Sequence, residues 1–231
     1  GGAGFIGSHV ADALIARGGE VLVVDNLVAG FRDNVNPKAE FHEADICDFS
    51  SLRPLMSGVE TVFHLAALPR VQPSILDPRT ANETNVTGTL NVLVSARDAS
   101  VKRVVYSASS SAYGNQDRMP VTEDMPANPM SPYGLQKYIG ELYMRMFSNL
   151  YGLETVSLRY FNVYGPRLRT DGAYPLVIGK FLIQRKKAEP LTIVPDGTQT
   201  RDFTYIDDVV RANLLAADSP HVGKGEVINI G

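Results

Sequence analysis

The chain has 231 residues, 44% hydrophobic and 20% charged, with 22 Lys and Arg against 25 Asp and Glu, one Cys and no Trp. That composition belongs to an ordinary globular protein with enough apolar surface for a core; it excludes disorder, and a net charge of −3 excludes a broad cationic field for nucleic acid or an acidic membrane. Cys47 alone cannot close an intrachain disulfide, which favours a reducing compartment and a cytoplasmic location.

Along the chain, β-branched apolar runs alternate with longer amphipathic stretches, the pattern of a parallel sheet covered by helices on both faces. The sequence predicts an α/β fold of Rossmann type, a doubly wound parallel sheet with a partial, smaller C-terminal substrate-binding region. Strands are expected at 21–24, 39–43, 59–65, 103–107 and 155–159, with a late pair at 191–194 and 226–230. Helices are expected at 5–17, 49–56, 80–99, 132–151, 173–185 and 207–217. Pro, Gly, Asn and Asp collect at 115–131 and 165–172, loops expected over one edge of the sheet. The chain opens on GGAGFIGSH and closes on EVINIG, so a strand is expected ahead of the glycine turn and a further segment after the last strand.

Gly1, Gly4 and Gly7 fall three residues apart and run straight into a helical pattern with Val10, Leu14 and Ile15. In such a turn the first glycine permits the bend, the second lets a pyrophosphate approach the backbone, and the third lets helix and strand pack closely. Asp25 ends the apolar run VLVV, placed to accept hydrogen bonds from an adenosine ribose and to repel a 2′-phosphate, which favours NAD over NADP.

The segment SPYGLQKYIGE starts like a helix, with Ser131 as cap and Pro132 in the first turn. Tyr133 and Lys137 then share a face, close enough for an ammonium to act on a phenol. Lowering a tyrosine pKa from near 10 to about 7 takes roughly 4 kcal/mol, and one cation supplies about 1–3 units, so the lysine needs help from a positive nicotinamide ring. Upstream, the strand RVVYS runs into SASSSAYG, placing serine hydroxyls at the carboxyl edge where ligands bind in open α/β sheets. The four histidines, His9, His42, His64 and His221, show no metal-ligand spacing with each other or with Cys47, so no metal site is expected.

Taken in order, GGAGFIGSH, VLVVDN, EADI, FHLAA, TNVTGTLNVL, VVYSASSSAYG, SPYGLQK, LRYFNVYGP and TRDFTYIDDV resemble the extended short-chain dehydrogenase/reductases, and more closely their NAD-dependent nucleotide-sugar epimerases. The resemblance implies an NAD-binding domain over 1–160 and a partial nucleotide-sugar-binding region over 161–231. It implies that Phe5 and Ile6 line the cofactor diphosphate, that Asp25 and Asn26 hold the adenosine ribose, and that Asp45 and Ile46 meet the adenine. Leu65, Ala66 and Ala67 would pass beneath the cofactor, with Asn85, Ser107 and Phe161 close by and Lys137 on the nicotinamide ribose. Ser109 matches the catalytic serine or threonine and Tyr133 the general base. Ser111, Asn162 and Arg201 would join Ser109 and Tyr133 in holding the substrate, the last two on its diphosphate.

The resemblance further implies C4 epimerisation of a UDP-hexose through a transient 4-keto sugar, by a homodimer joined through the helices at 80–99 and 132–151. Dehydratases of the superfamily carry an Asp-Glu pair directly after the catalytic residue, because loss of water needs an acid and a base. Here those positions are Ser110 and Ser111, which argues against dehydration, and against the uronic-acid decarboxylases that keep a Glu at the second. Pro69 stands where some galactose epimerases place a cofactor-binding lysine. Uronate epimerisation, net reduction and a non-catalytic NAD-binding role remain alternatives.

Overall fold

The computed structural model describes residues 1–169, 177–193 and 196–231. The strands are β1 (Leu22–Asp25), β2 (Glu40–Glu43), β3 (Thr61–His64), β4 (Arg103–Ser109), β5 (Glu154–Tyr160) and β6 (Lys224–Ile230). All pair in parallel, β1 with β2, and β3, β4, β5 and β6 in that order. Arg103 to Tyr106 are all buried, because β4 has a strand on either side and helices on both faces; this is why its apolar residues read as a run rather than an alternation.

The helices are α1 (Phe5–Ala16), α2 (Phe49–Leu52), α3 (Val71–Leu76), α4 (Pro78–Asn82), α5 (Thr89–Asp98), α6 (Pro132–Tyr151), α7 (Val177–Lys186) and α8 (Ile206–Asp218). On one face of the sheet Leu93 and Ala96 of α5 and Met144 and Phe147 of α6 pack on Val104 and Tyr106. On the other, Ile206 and Val209 of α8 pack on Val105, Val156 and Leu158. Helix α6 starts where Ser131 Oγ accepts the Gly134 N–H at 3.1 Å, with Pro132 in the first turn. It stops at Gly152, whose left-handed backbone (φ 68°) closes the last turn.

At the end of β4 remote from its serines, the Arg103 guanidinium donates to the carbonyls of Ala216, Ala217, Ser219 and Val222 at 2.7–3.0 Å and pairs with Glu154 at 2.6 Å. One buried cation thus satisfies the carbonyls that the end of α8 leaves open.

Two expectations need correction, and one helix lies where none is expected. The strand expected at 191–194 does not form at residues 191–193, and Val194 lies outside the described residues. Leu191 and Ile193 are exposed, and the polar groups of the segment are taken by Gln184, which donates to Pro190 O and Thr192 Oγ1 and accepts from Thr192 N. The helix expected over 80–99 is interrupted by a π-turn at Glu83–Gly88, with α4 before it and α5 after. Helix α3, not expected, follows Arg70, whose backbone sits at φ 85°. Residues 173–176 of the helix expected at 173–185 lie outside the described residues; the rest is α7.

Candidate active site

A cavity of about 390 Å³ opens at the carboxyl ends of β1, β3 and β4, above the first turn of α1. It gathers Gly1, Gly4, Phe5, Ile6 and Gly7 from the glycine turn, Asp25, Asn26 and Ile46, and Leu65, Ala66 and Ala67 from the end of β3. From the other side come Ser107, Ser109 and Ser111, Tyr133 and Lys137, and Asn162. Val28, Arg70, Leu168 and Arg169 also line it, contributions of loop geometry that no sequence motif marks, as does Tyr160 at the end of β5.

The glycine turn is sterically closed on two sides and open on the third. A Cβ on Gly1 would lie 2.3 Å from Ala66 N, and one on Gly7 would lie 2.2 Å from Gly1 O, so neither position admits a side chain. A Cβ on Gly4 would meet only Gly1 O, at 3.3 Å, leaving that residue facing the cavity. Gly4 is the N-cap of α1 and offers no side-chain oxygen, so the first N–H groups of the helix have no acceptor within it. The positive end of the helix dipole and these free donors fit a nucleotide diphosphate.

Asp25, nearly buried, accepts the Ala3 N–H on Oδ2 at 3.0 Å and the Leu27 N–H on Oδ1 at 2.8 Å, which fixes its carboxylate at the cavity edge while each oxygen keeps a further lone pair. Asn26 lies beside it and donates to Asp45 Oδ2 at 2.8 Å. Burial pushes the Asp45 carboxyl up, but the Cys47 N–H and the Asn26 amide outweigh it and hold the group below its ordinary value. Asp45 itself stands behind Asn26, outside the cavity lining.

Ser109, Tyr133 and Lys137 meet because β4 ends where α6 begins. Ser109 Oγ accepts the Ser111 N–H at 3.2 Å and caps a 3-10 turn at Ser110–Ala112. The Tyr133 N–H donates to Ser74 Oγ at 3.0 Å, which ties the start of α6 to α3. Lys137 is 3% exposed and donates from Nζ to Ser107 O at 2.8 Å. Burial lowers its pKa to about 8, against the opposing pull of Glu141. Burial pushes the Tyr133 phenol up, and the Ser109 hydroxyl pulls it partly back.

Asn85, Phe161 and Arg201 stand off the cavity wall. Asn85 is buried within the π-turn and clasps Leu68, accepting from its N–H at 2.8 Å and donating to its carbonyl at 3.1 Å, while also donating to Gln136 Oε1 at 2.8 Å. It therefore joins the loop after β3 to α6. The Phe161 ring lies 6.3 Å from that of Tyr113. Arg201 is exposed and donates to Thr200 O at 2.7 Å; the neighbouring Asp202 carbonyl accepts from Asn162 Nδ2, also at 2.7 Å. Among the described residues no group of three or more His, Cys, Asp or Glu is placed to hold a metal, and no helix is long and apolar enough to cross a membrane.

A family model described as the NAD dependent epimerase/dehydratase family matches residues 1–231. A putative UDP-glucose 4-epimerase of Methanocaldococcus jannaschii is 44% identical over 233 residues, covering 100% of this chain and 75% of the relative. The crystal structure of UDP-glucose 4-epimerase from Thermotoga maritima with UDP-glucose superposes with a TM-score of 0.95 at 42% identity, covering 100% of this chain and 75% of that one. A UDP-N-acetylglucosamine 4-epimerase from Methanobrevibacter ruminantium, in complex with UDP-N-acetylmuramic acid, does so with a TM-score of 0.95 at 38% identity, covering 100% and 74%. With its glycine turn, its serine-ended strand and its Tyr133–Lys137 helix in one cavity, and with a family match along its whole length, the chain belongs to the NAD-dependent epimerase/dehydratase family.

Proposed function

We propose that the protein inverts C4 of a UDP-hexose, with NAD as a bound cofactor and Ser109, Tyr133 and Lys137 as the catalytic set. The observation that carries this reading is the convergence of those three side chains on the cavity that also holds the glycine turn. Gly1, Gly4, Phe5, Ile6 and Gly7 hold the cofactor diphosphate, and Asp25 and Asn26 the adenosine ribose. Asp45 supports Asn26, and Ile46 lies against the adenine. Leu65, Ala66, Ala67 and Ser107 line the floor, with Asn85 and Phe161 acting from behind it. Ser111 and Asn162 flank the sugar nucleotide, and Arg201, adjacent to the strand of backbone that Asn162 holds, takes its diphosphate. The cofactor domain is 1–160, and 161–231 forms part of the sugar-nucleotide region.

Tyr133 takes the proton from the sugar 4-hydroxyl, and Ser109 hydrogen-bonds the same oxygen as it becomes a carbonyl. NAD, when bound, supplies the redox chemistry by accepting hydride from C4 and returning it to the opposite face. Lys137 holds a positive charge near the phenol; since burial pushes that phenol up, the lysine and the nicotinamide charge act together to bring it into the working range. Ser110 and Ser111, where an acid and a base for loss of water would stand, direct the keto sugar back to an alcohol.

The exposed apolar side chains Leu135, Leu142, Met146 and Leu150 along α6 support a homodimer through that helix, and the single, part-buried Cys47 supports a cytoplasmic setting. Incubation with UDP-glucose, followed by separation of the products, should yield UDP-galactose and an equilibrium mixture. Denaturation of the purified protein should release a nicotinamide dinucleotide. Appearance of a dehydrated or decarboxylated sugar nucleotide, or of no product with NAD present, would overturn the reading.

A further inference from the structure

Lys137 is buried to 3% exposure, yet among the described residues its one ammonium hydrogen bond, to Ser107 O, uses one of three N–H groups. Burying that charge is costly and brings the lysine pKa down to about 8, so a contact that favours the charged form decides how much of it survives near neutral pH. The Lys137 ammonium lies over the Tyr106 ring, 4.9 Å from its centroid, within cation–π range. Tyr106 is fully buried in β4, and its hydroxyl meets the Lys137 carbonyl at 3.5 Å, so the same residue touches both ends of the lysine. It reaches them through a gap in α6: a Cβ on Gly140 would lie 2.2 Å from Tyr106 Oη.

We infer that Tyr106 is a positioning residue of the active site, its ring receiving the Lys137 ammonium and keeping it charged and aimed at the cavity; the inference rests on the catalytic role proposed for Lys137. Other ionisable groups around the lysine do not replace the ring. On α6, Glu141 attracts the ammonium but is engaged by Arg159 of β5 through two hydrogen bonds, at 2.8 and 2.6 Å, so its charge is largely balanced. His64 of β3 is kept neutral, chiefly by burial and then by the lysine charge itself. Tyr133 on α6 and Tyr160 on β5 are pushed up by burial and stay neutral in the resting protein. Tyr106 is also pushed well above its ordinary value, so its ring remains that of a neutral phenol, with the electron-rich face a cation needs.

Replacing Tyr106 by Phe and by 4-fluoro-, 3,5-difluoro- and 3,4,5-trifluorophenylalanine drains the ring face of charge with little change in shape, so folding is preserved across the series. The Nζ resonance of Lys137, assigned with Lys137→Arg, is titrated by 15N NMR in the full chain, and the alkaline limb of kcat/KM is recorded in parallel. The Lys137 midpoint should fall stepwise with fluorination, by about half to one pH unit over the series, and the alkaline limb should move to lower pH with it. A midpoint that stays constant across the series overturns the inference whatever turnover does. A midpoint that moves while the pH–rate profile stays fixed upholds the contact and overturns the catalytic role of Lys137.

Discussion

Gly140 and Tyr106 occupy one notch between α6 and β4, with room for the phenol only because residue 140 has no side chain. A methyl group there would stand 2.2 Å from Tyr106 Oη and 2.5 Å from Cζ, inside a fully buried contact. Gly140→Ala gains about 1 kcal/mol of helix propensity but overpacks the core at a cost of about 1–3 kcal/mol or more. The second effect wins, because the phenol is hemmed in and cannot swing aside. Urea denaturation should show a net loss of stability of about 1–2 kcal/mol, and a variant as stable as the parent would show that the notch is not tight.

Tyr133→Phe removes the proposed base and leaves the ring in place. Turnover of UDP-glucose should fall by about 100-fold or more, while NAD should still be released on denaturation in the parent's stoichiometry. Loss of cofactor in this variant would move Tyr133 from chemistry to binding.

Lys137 makes the fold less stable at neutral pH. Its pKa is lowered from 10.5 to about 8 by burial, so the unfolded chain binds more protons than the native one between those values and stability rises with pH across that window. Below pH 8 the penalty is fully present, on the order of 3 kcal/mol. Lys137→Met should therefore be more stable than the parent at pH 7, and the advantage should shrink as pH rises from about 8 to 10.5, while activity is lost at every pH. An equal difference between the two proteins at pH 7 and pH 10.5 would contradict the burial of a charged lysine.

Glu141 and Arg159 form a buried pair, each 5% exposed or less at the side chain, and the guanidinium lies 4.3 Å from the Tyr113 ring centroid. Removing one partner strands the other charge. Glu141→Gln should cost about 3–5 kcal/mol in chemical denaturation, whereas Glu141→Leu with Arg159→Met should recover most of that loss. A single variant no worse than the double one would mean that the pair is reached by water.

Much of this architecture is legible in the residues because it is local. β4 announces itself by the apolar run Val104 to Tyr106, and α6 carries its own start in Ser131-Pro132 and its own stop in Gly152. The glycine turn and the Tyr133–Lys137 spacing are equally local, and the fold brings them to one cavity. What the sequence hides depends on distant partners. Helix α3 follows an arginine at φ 85° that no propensity favours. The residues at 191–193 have the composition of a strand, but Gln184 draws their polar groups into a loop. Asn85 reads as a cofactor ligand, but its amide is spent on Leu68 and Gln136. Burial raises the Tyr133 phenol, a consequence of packing that residue spacing does not carry.

Asn85 braces the cavity from behind. Its amide holds both backbone groups of Leu68 and, through Gln136, the helix that carries Tyr133 and Lys137. The loop wall and the helix wall of the cavity are therefore carried as one piece, so a displacement of either is transmitted to the other instead of being absorbed between them.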